Sequence, residues 1–155
     1  MIKKVISGGQ TGADTAGLAA AYDLGFPTGG TAPLFYRVQT FTGEDSTNPE
    51  LKVKYGLSES EAYNWAPRTK KNVEYSDGTV WVGFADSGGG RLTLSTCTDL
   101  SKPFIVNPIV EELKQWIIDN NIEILNVAGN RHSPVNPDIY EKTYDLIHKA
   151  LSNNE

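Results

Sequence analysis

Residues 5 to 14 read Val5-Ile6-Ser7-Gly8-Gly9-Gln10-Thr11-Gly12-Ala13-Asp14. The apolar pair predicts the end of a buried strand, and the alanine-rich segment from Ala13 to Leu24 predicts a helix. Glycines between a strand and a helix let a ligand come close to the backbone, and the free N–H groups of the helix N-terminus favour an anion. The stretch therefore predicts a ligand-binding turn, the alternative being a tight turn alone, and its candidate residues are Ser7, Gly8, Gly9, Gln10, Thr11, Gly12 and Asp14.

The order of strand, loop and helix recurs along the chain. Strands are predicted at Lys4–Ile6, Thr79–Gly83, Phe104–Val106 and Ile124–Val127. Helices are predicted from Ala13, Asn48-Pro49-Glu50, Ala66-Pro67-Arg68, the glycines at 88–90, Ile109 and Asn136-Pro137-Asp138, whereas Phe26 to Asn48 is predicted to be a loop. Such alternation is typical of βαβ units. It predicts one domain over residues 1–155, with a Rossmann-like three-layer α/β/α fold and a mostly parallel sheet.

Two more glycine-containing loops follow predicted strands. In Asp86-Ser87-Gly88-Gly89-Gly90-Arg91, the glycines form a backbone nest for an anion, and Arg91 either adds positive charge or points to solvent. In Asn126-Val127-Ala128-Gly129-Asn130-Arg131, the arginine suits bidentate recognition of phosphate or carboxylate, or closes its loop with a salt bridge. Ligands of open α/β sheets bind outside the carboxyl ends of the strands, so the three loops are expected on one cleft. The added candidates are Gly88, Gly89, Gly90, Arg91, Asn126, Gly129, Asn130 and Arg131.

Arg68 and Asn72 stand four residues apart, so they share a helix face. That face either contacts the ligand or faces solvent. Both residues are therefore also candidates for the binding site.

Composition excludes several classes of function. The formal net charge is −5, which argues against nucleic acid as a partner. Cys97 is the one cysteine and there are two histidines, so no structural metal site is predicted. No apolar run approaches the ~18 residues of a membrane span. A lone cysteine favours a cytoplasmic location.

The ordered motifs resemble those of the circularly permuted YpsA-type family, whose members are often labelled "putative molybdenum cofactor carrier". The resemblance covers nearly the whole chain and rests on the residue 7–14 stretch, Gly29-Gly30, Arg68 to Asn72, Ser76-Asp77-Gly78-Thr79, Gly88 to Leu94 and Leu125 to Arg131. It implies the SLOG superfamily, whose Rossmann-like domains are similar to the lysine decarboxylase-like (LOG) nucleotide hydrolases. It also implies a nucleotide or a molybdopterin-type ligand, and adds Gly30 to the candidate residues.

Two departures from these relatives bear on chemistry. Many family members carry Trp-Cys-Pro after the paired glycines, whereas this chain reads Thr31-Ala32-Pro33 and offers no thiol there. Alignment with the LOG signature Gly-Gly-x-Gly-Thr-x-x-Glu places Thr93 where the catalytic glutamate stands. A threonine hydroxyl does not replace a carboxylate as a general base near neutral pH. The match therefore favours binding at Thr93 over LOG-type hydrolysis.

The leading hypothesis is a binding protein, that is, a carrier, sensor or sequestering module for an anionic, phosphate-bearing small molecule. The alternative is a hydrolase of an N-glycosidic or phosphate bond, with Asp14, Asp86 or Glu74 as the base. A third hypothesis is a homo-oligomer assembled through aromatic residues in loop-like regions, namely Phe35-Tyr36, Tyr63 and Trp65.

Overall fold

A computed structural model describes residues 1–152; the last three residues of the predicted domain lie outside the described part. The strands are β1 (Lys4–Ile6), β2 (Thr28–Gly29), β3 (Thr31–Ala32), β4 (Arg37–Gln39), β5 (Asp45–Thr47), β6 (Ser58–Glu59), β7 (Gly78–Val82), β8 (Phe104–Val106) and β9 (Ile124–Gly129). The helices are α1 (Ala13–Asp23), α2 (Glu50–Val53), α3 (Trp65–Glu74), α4 (Gly88–Asp99), α5 (Val110–Asp119) and α6 (Ile139–Leu151).

The central sheet has five strands in the order β2-β1-β9-β7-β8. All four pairings in it are parallel, and β9 lies in the middle with β1 on one side and β7 on the other. Each of the four strands predicted from the sequence belongs to this sheet. The predicted α/β class with a mostly parallel sheet is therefore confirmed.

Helices cover both faces of the sheet, as alternate residues of β7 show. Val80 and Val82 enter a core cluster with Leu113 of α5 and Ile147 of α6. Trp81 points to the other face, because successive side chains of a strand alternate, and there it borders a cleft formed in part by α4. α1 packs on α6, whereas α4 packs on α3. The result is three layers, with α1, α5 and α6 on one face and α3 and α4 on the other.

The segment from Phe26 to Asn48 contains more structure than predicted, so the prediction of a loop is wrong there. It contains the edge strand β2, the short strand β3 and the antiparallel hairpin of β4 and β5. These strands are two or three residues long, and β2 and β3 pair with partners distant in sequence, so no local periodicity reveals them. The hairpin and its neighbours pack on α1 through a second cluster that includes Leu18, Val38 and Leu51.

The helices begin close to their predicted starts, because the residues at these positions favour the N-terminus of a helix. Ser87 caps α4 by accepting a hydrogen bond from the Gly90 amide at 3.0 Å, so α4 already includes the first glycines. α2 is a single turn. Within residues 1–152, none of the helices is long and apolar enough to cross a membrane.

Candidate functional site

The loops that follow β1, β7 and β9 meet in one cleft of about 680 Å³ at the carboxyl ends of these strands. α4 leaves β7 on one face of the sheet, whereas α6 follows β9 on the other face. The helices that follow the neighbouring strands β7 and β9 thus lie on opposite faces of the sheet. Open α/β folds bind their ligands in the crevice that forms at such a place. The cleft is lined by Gln10 and Asp14, by Gly88, Gly89 and Thr93, by Gly129, Asn130 and Arg131, and by Arg68, among others.

The glycines after β1 serve packing rather than ligand approach. A Cβ on Gly8 would lie 2.1 Å from Nη1 of Arg68, so the arginine occupies the space above this backbone. A Cβ on Gly12 would lie 2.5 Å from the His132 amide, because the loop after β9 crosses here. Ser7 turns inward and accepts a hydrogen bond from the Gly9 amide at 3.1 Å. Of this first loop, only Gln10 and Asp14 line the cleft.

Asp14 and Arg68 form a buried ion pair in the cleft, with 3.4 Å between Oδ2 and Nη1. Their side chains are 5% and 14% exposed, so the charges are largely removed from water. Oδ2 of Asp14 also accepts a hydrogen bond from the Gln10 amide at 3.2 Å. Burial raises the pKa of Asp14, and the opposing effects of Arg68 and of the Gln10 and Gly129 amides do not cancel the increase. The carboxyl is thus held in an ion pair with Arg68.

Gly88 and Gly89 form the open end of the cleft. Both are exposed, and no atom lies within 4 Å of a Cβ placed on Gly88. In the described part of the chain, their amides have no hydrogen-bond acceptor, whereas the next amide, that of Gly90, is taken by the cap Ser87. These amides stand at the N-terminus of a twelve-residue helix, where the backbone dipole favours negative charge.

The other members of the second loop differ in placement. Gly90 packs against the backbone, since its Cβ would lie 2.1 Å from the Ala85 carbonyl oxygen. Arg91 is exposed and pairs with Asp86 at 2.8 Å, outside the cleft, so it points to solvent. Thr93 lies one turn into α4 and lines the cleft.

Of the predicted site residues in and after β9, those at the end of the strand and in the following loop line the cleft. Asn126 does not line the cleft; it is buried and donates to Oγ1 of Thr79 at 3.1 Å. Asn130 lines the cleft, but its amide group bonds both the N–H and the C=O of Phe84 and so ties the loops after β7 and β9 together. Arg131 donates through Nη1 to the carbonyl oxygens of Thr40, Phe41 and His132. The alternative role of Arg131, a salt bridge that closes its loop, is therefore wrong in its partner: the bonds go to backbone oxygens, two of them in the turn of the β4–β5 hairpin.

Two candidates on or next to α3 have structural roles. Asn72 bonds the backbone of Thr31, accepting from its N–H at 2.8 Å and donating to its C=O at 2.9 Å. A Cβ on Gly30 would lie 2.2 Å from the Ser7 carbonyl oxygen, which explains the glycine. Neither residue lines the cleft, but together they hold α3 against the loop after β1 and thereby place Arg68.

Comparison with known proteins agrees with this architecture. The model of the circularly permutated YpsA SLOG family matches residues 5–151. The chain is 32% identical to a crystal structure named "Putative molybdenum carrier protein" from Syntrophus aciditrophicus SB, with a TM-score of 0.82 over 97% of this chain and 96% of that one. No match was found among curated proteins.

The chain belongs to the circularly permutated YpsA SLOG family. The resemblance noted in the sequence is therefore confirmed.

Within this member of the family, sequence reasoning missed several cleft residues. Trp65, Trp81 and Gln39 line the cleft together with Thr69. Trp65 also stacks on the guanidinium of Arg37, which lies 4.1 Å from the ring centroid. Alternation along β7 would have placed Trp81 on the α4 face. Nothing local indicates Gln39, whose position depends on the hairpin.

The two other carboxylates considered as a base lie away from the cleft of this family member. Asp86 is exposed and paired with Arg91, and Glu74 is exposed at the end of α3. Among the residues lining the cleft, Asp14 is the one carboxylate. A second cavity of about 670 Å³, lined by Phe84, Ile109 and Val135 among others, contains none of the predicted site residues.

Proposed function

We propose that this protein binds, rather than converts, a phosphate-bearing heterocyclic small molecule, either a nucleotide-like compound or a molybdopterin-type pterin. The observation that carries the proposal is the pair of free amides at Gly88 and Gly89, exposed in a cleft whose one carboxylate is already paired. A phosphate on these amides gains two N–H donors and the N-terminal end of the α4 dipole. Arg131 adds positive charge at the same cleft.

The charge of the cleft supports an anionic ligand. Its charged residues are Asp14, Arg68 and Arg131, and the first two neutralise each other. Nη1 of Arg131 bonds the carbonyl oxygens of Thr40, Phe41 and His132, and within residues 1–152 its Nη2 and Nε have no hydrogen-bond acceptor, so they remain as donors. A phosphate-bearing ligand thus meets one uncompensated positive charge and no uncompensated negative charge.

Two further points favour binding over hydrolysis. Thr93 lies in the cleft at the position matched to the LOG glutamate, and a hydroxyl supplies little general-base catalysis near neutral pH. Asp14 is paired with Arg68 and its Oδ2 also accepts from the Gln10 amide, so the ion pair competes with any role of this carboxyl as a base. The relative from Syntrophus aciditrophicus is named as a molybdenum carrier, which accords with a role in holding a ligand.

Native mass spectrometry of the purified protein tests the proposal directly. We expect a retained mass in the nucleotide or pterin range. Binding of a panel of nucleoside monophosphates by calorimetry then uses Gly88→Asp as the test variant and Ser95→Asp, an exposed site on the same helix, as the charge-matched control. Gly88→Asp places a carboxylate where the phosphate binds and should weaken binding by ~10–100-fold, the loss of charged hydrogen bonds. Ser95→Asp should not. Absence of both a retained mass and nucleotide binding contradicts the proposal.

The hydrolase remains the second candidate because burial raises the pKa of Asp14 in the cleft, a property common among catalytic carboxyls. Incubation with AMP and chromatography of free adenine decides between the two. We expect no release above the buffer control. Release that Asp14→Asn abolishes would establish the enzyme.

A further inference from the structure

Three buried hydroxyl side chains line the cleft, and none of them has a hydrogen-bond partner within residues 1–152. They belong to Thr69 on α3, Thr93 on α4 and Ser133 in the loop after β9. Each of these residues is only 5% or 6% exposed. Proteins pair nearly all buried polar groups, and the exceptions call for a specific explanation. Three exceptions on one cleft indicate that its ligand supplies the missing partners.

The three hydroxyls are open to the cleft and are not sealed inside the protein. In the described part of the chain, the unpartnered side-chain atoms that are closed to solvent are Nε of Arg68 and Nε1 of Trp81. The three hydroxyl oxygens are not among them, so the small exposed area of each residue includes its oxygen. Because all three residues line the cleft, a ligand bound there can reach these oxygens.

Other threonines in the helices use their hydroxyls within the protein. Thr96 of α4 donates to the Leu92 carbonyl at 2.7 Å, and Thr143 of α6 donates to the Ile139 carbonyl at 2.7 Å. Both form the bond to the carbonyl four residues earlier that helical threonines commonly make. The two cleft threonines are helical as well but do not form it, so their hydroxyls stay available to a ligand.

Thr93 has a defined position relative to the proposed phosphate site. It follows Gly89 by four residues, so the two lie on one face of α4, about 6 Å apart along the helix axis. A 5′-phosphate is joined to the ribose ring through one oxygen and one carbon atom. A phosphate on the amides of Gly88 and Gly89 therefore brings the sugar hydroxyls within reach of the Thr93 side chain.

The two parts of the cleft differ in hydrogen-bonding character. The free amides of Gly88 and Gly89 donate only, which suits a phosphate. A threonine or serine hydroxyl both donates and accepts, and it rotates to suit its partner. It therefore pairs with groups that also donate and accept, and the hydroxyls of a sugar are such groups. A purine or pterin ring presents donors and acceptors at fixed positions, between which a rotating hydroxyl discriminates poorly.

We infer that Thr69, Thr93 and Ser133 bind the sugar hydroxyls of the ligand, so that the cleft selects a ribonucleoside phosphate over its deoxy analogue. This inference rests on the proposed function and specifies the ligand as a nucleotide-like compound that contains ribose. A site built to bond a hydroxyl rejects the analogue that lacks it, because the buried polar groups of the site are then left unpaired.

Adenosine 5′-monophosphate and 2′,3′-dideoxyadenosine 5′-monophosphate are the test pair, because they share base and phosphate and differ only in the two sugar hydroxyls. We expect the wild-type protein to bind the ribonucleotide about tenfold more tightly in calorimetry, the effect of one or two net hydrogen bonds. The corresponding guanosine compounds should show the same preference. Equal affinities within both pairs overturn the inference and leave the proposed function intact. If none of the four compounds binds, the inference fails, and the retained mass in native mass spectrometry decides the proposed function.

Thr93→Val removes the hydroxyl and keeps the shape of the side chain. It should lower the affinity for adenosine monophosphate about fivefold and leave that for the dideoxy compound unchanged. Thr143→Val removes an equally buried hydroxyl outside the cleft, so it is the matched control and should preserve the wild-type preference. Equal loss for both nucleotides in Thr93→Val would mean that Thr93 contributes packing alone and would overturn the inference.

Stability separates a hydroxyl that binds a ligand from one that serves the fold. Thr143→Val should lower the urea midpoint of the free protein, because it removes the hydrogen bond to Ile139. Thr93→Val should leave the midpoint unchanged or raise it, because no protein group loses a partner. A lowered midpoint in Thr93→Val together with an unchanged nucleotide preference would assign the hydroxyl to the fold and would overturn the inference. Should Thr93→Val not fold, the wild-type preference still decides.

Discussion

Gly8 and Gly88 differ in what an added methyl group would meet. At Gly8 it would overlap the guanidinium of Arg68, whereas at Gly88 it would meet open space. Gly8→Ala should therefore lower the free energy of unfolding by about 1–3 kcal/mol, as overpacking does. Gly88→Ala should raise it by up to about 1 kcal/mol, because alanine favours the helix. Urea unfolding of the two variants measures both effects. A destabilised Gly88→Ala together with an unaffected Gly8→Ala would contradict the assignment of the first glycine to packing and the second to ligand approach.

Asp14 gives the protein a defined dependence of stability on pH. Burial raises its pKa in the folded state above the ordinary value of 3.8, so the folded protein holds this proton more tightly than the unfolded chain does. The contribution of this group to the free energy of unfolding therefore falls as the pH rises from 3.8 through the raised pKa. The Asp14→Asn variant lacks this titrating carboxyl and therefore serves as the reference.

The stability of the wild type relative to Asp14→Asn should accordingly decline with rising pH over this window. Urea unfolding of both proteins at several pH values checks it. Parallel curves would mean that the carboxyl titrates normally in the folded state.

At the scale of elements, Arg131 ties the turn of the β4–β5 hairpin to the loop after β9. Arg131 bonds the carbonyls of Thr40 and Phe41, and Thr11 donates to the Gln39 carbonyl at 2.7 Å. Arg131→Ala should speed proteolysis at the hairpin turn, and weaken an anionic ligand by ~1.5–3 kcal/mol if its remaining donors reach that ligand. Arg91→Ala, which removes the same charge outside the cleft, is the control. Proteolysis equal in the two variants would show that Arg131 does not hold the hairpin.

The elements also differ in how far the sequence predicts them. β7 and β9 are largely apolar segments, and such a composition predicts strands that are buried on both faces of a parallel sheet. β2 is a strand only because Thr28 lies beside Val5, a relation between distant residues that no local pattern contains.

The same division applies to the site. The sequence placed Asp14, Gly88 and Gly89 in the cleft because a strand-to-helix loop has a known position. The sequence does not show that Asn126 bonds Thr79 in the protein interior. A polar residue near the end of a strand has the same sequence pattern whether its side chain bonds a ligand or another residue.

At the scale of the whole molecule, Cys97 reports on global unfolding. The thiol is fully buried on α4, and burial raises its pKa, so little thiolate is present or accessible in the folded protein. It is the one cysteine of the chain. Reaction with a thiol reagent should thus be slow in buffer and should rise with urea in parallel with loss of the far-UV circular dichroism signal. Rapid labelling in buffer would reveal local opening of α4.

The central position of β9 sets the order in which a newly made chain can fold. β1 bonds only β2 and β9, and β7 bonds only β8 and β9, so β9 alone joins the two strand pairs. Among the strands of residues 1–152, it also comes after all the others along the chain. Until residues 124–129 emerge, the nascent chain holds two unconnected halves of a sheet and no complete cleft. Because such distant pairing pays for loop closure before it gains contacts, the protein acquires its five-stranded sheet and its candidate site only once residues 124–129 have been made.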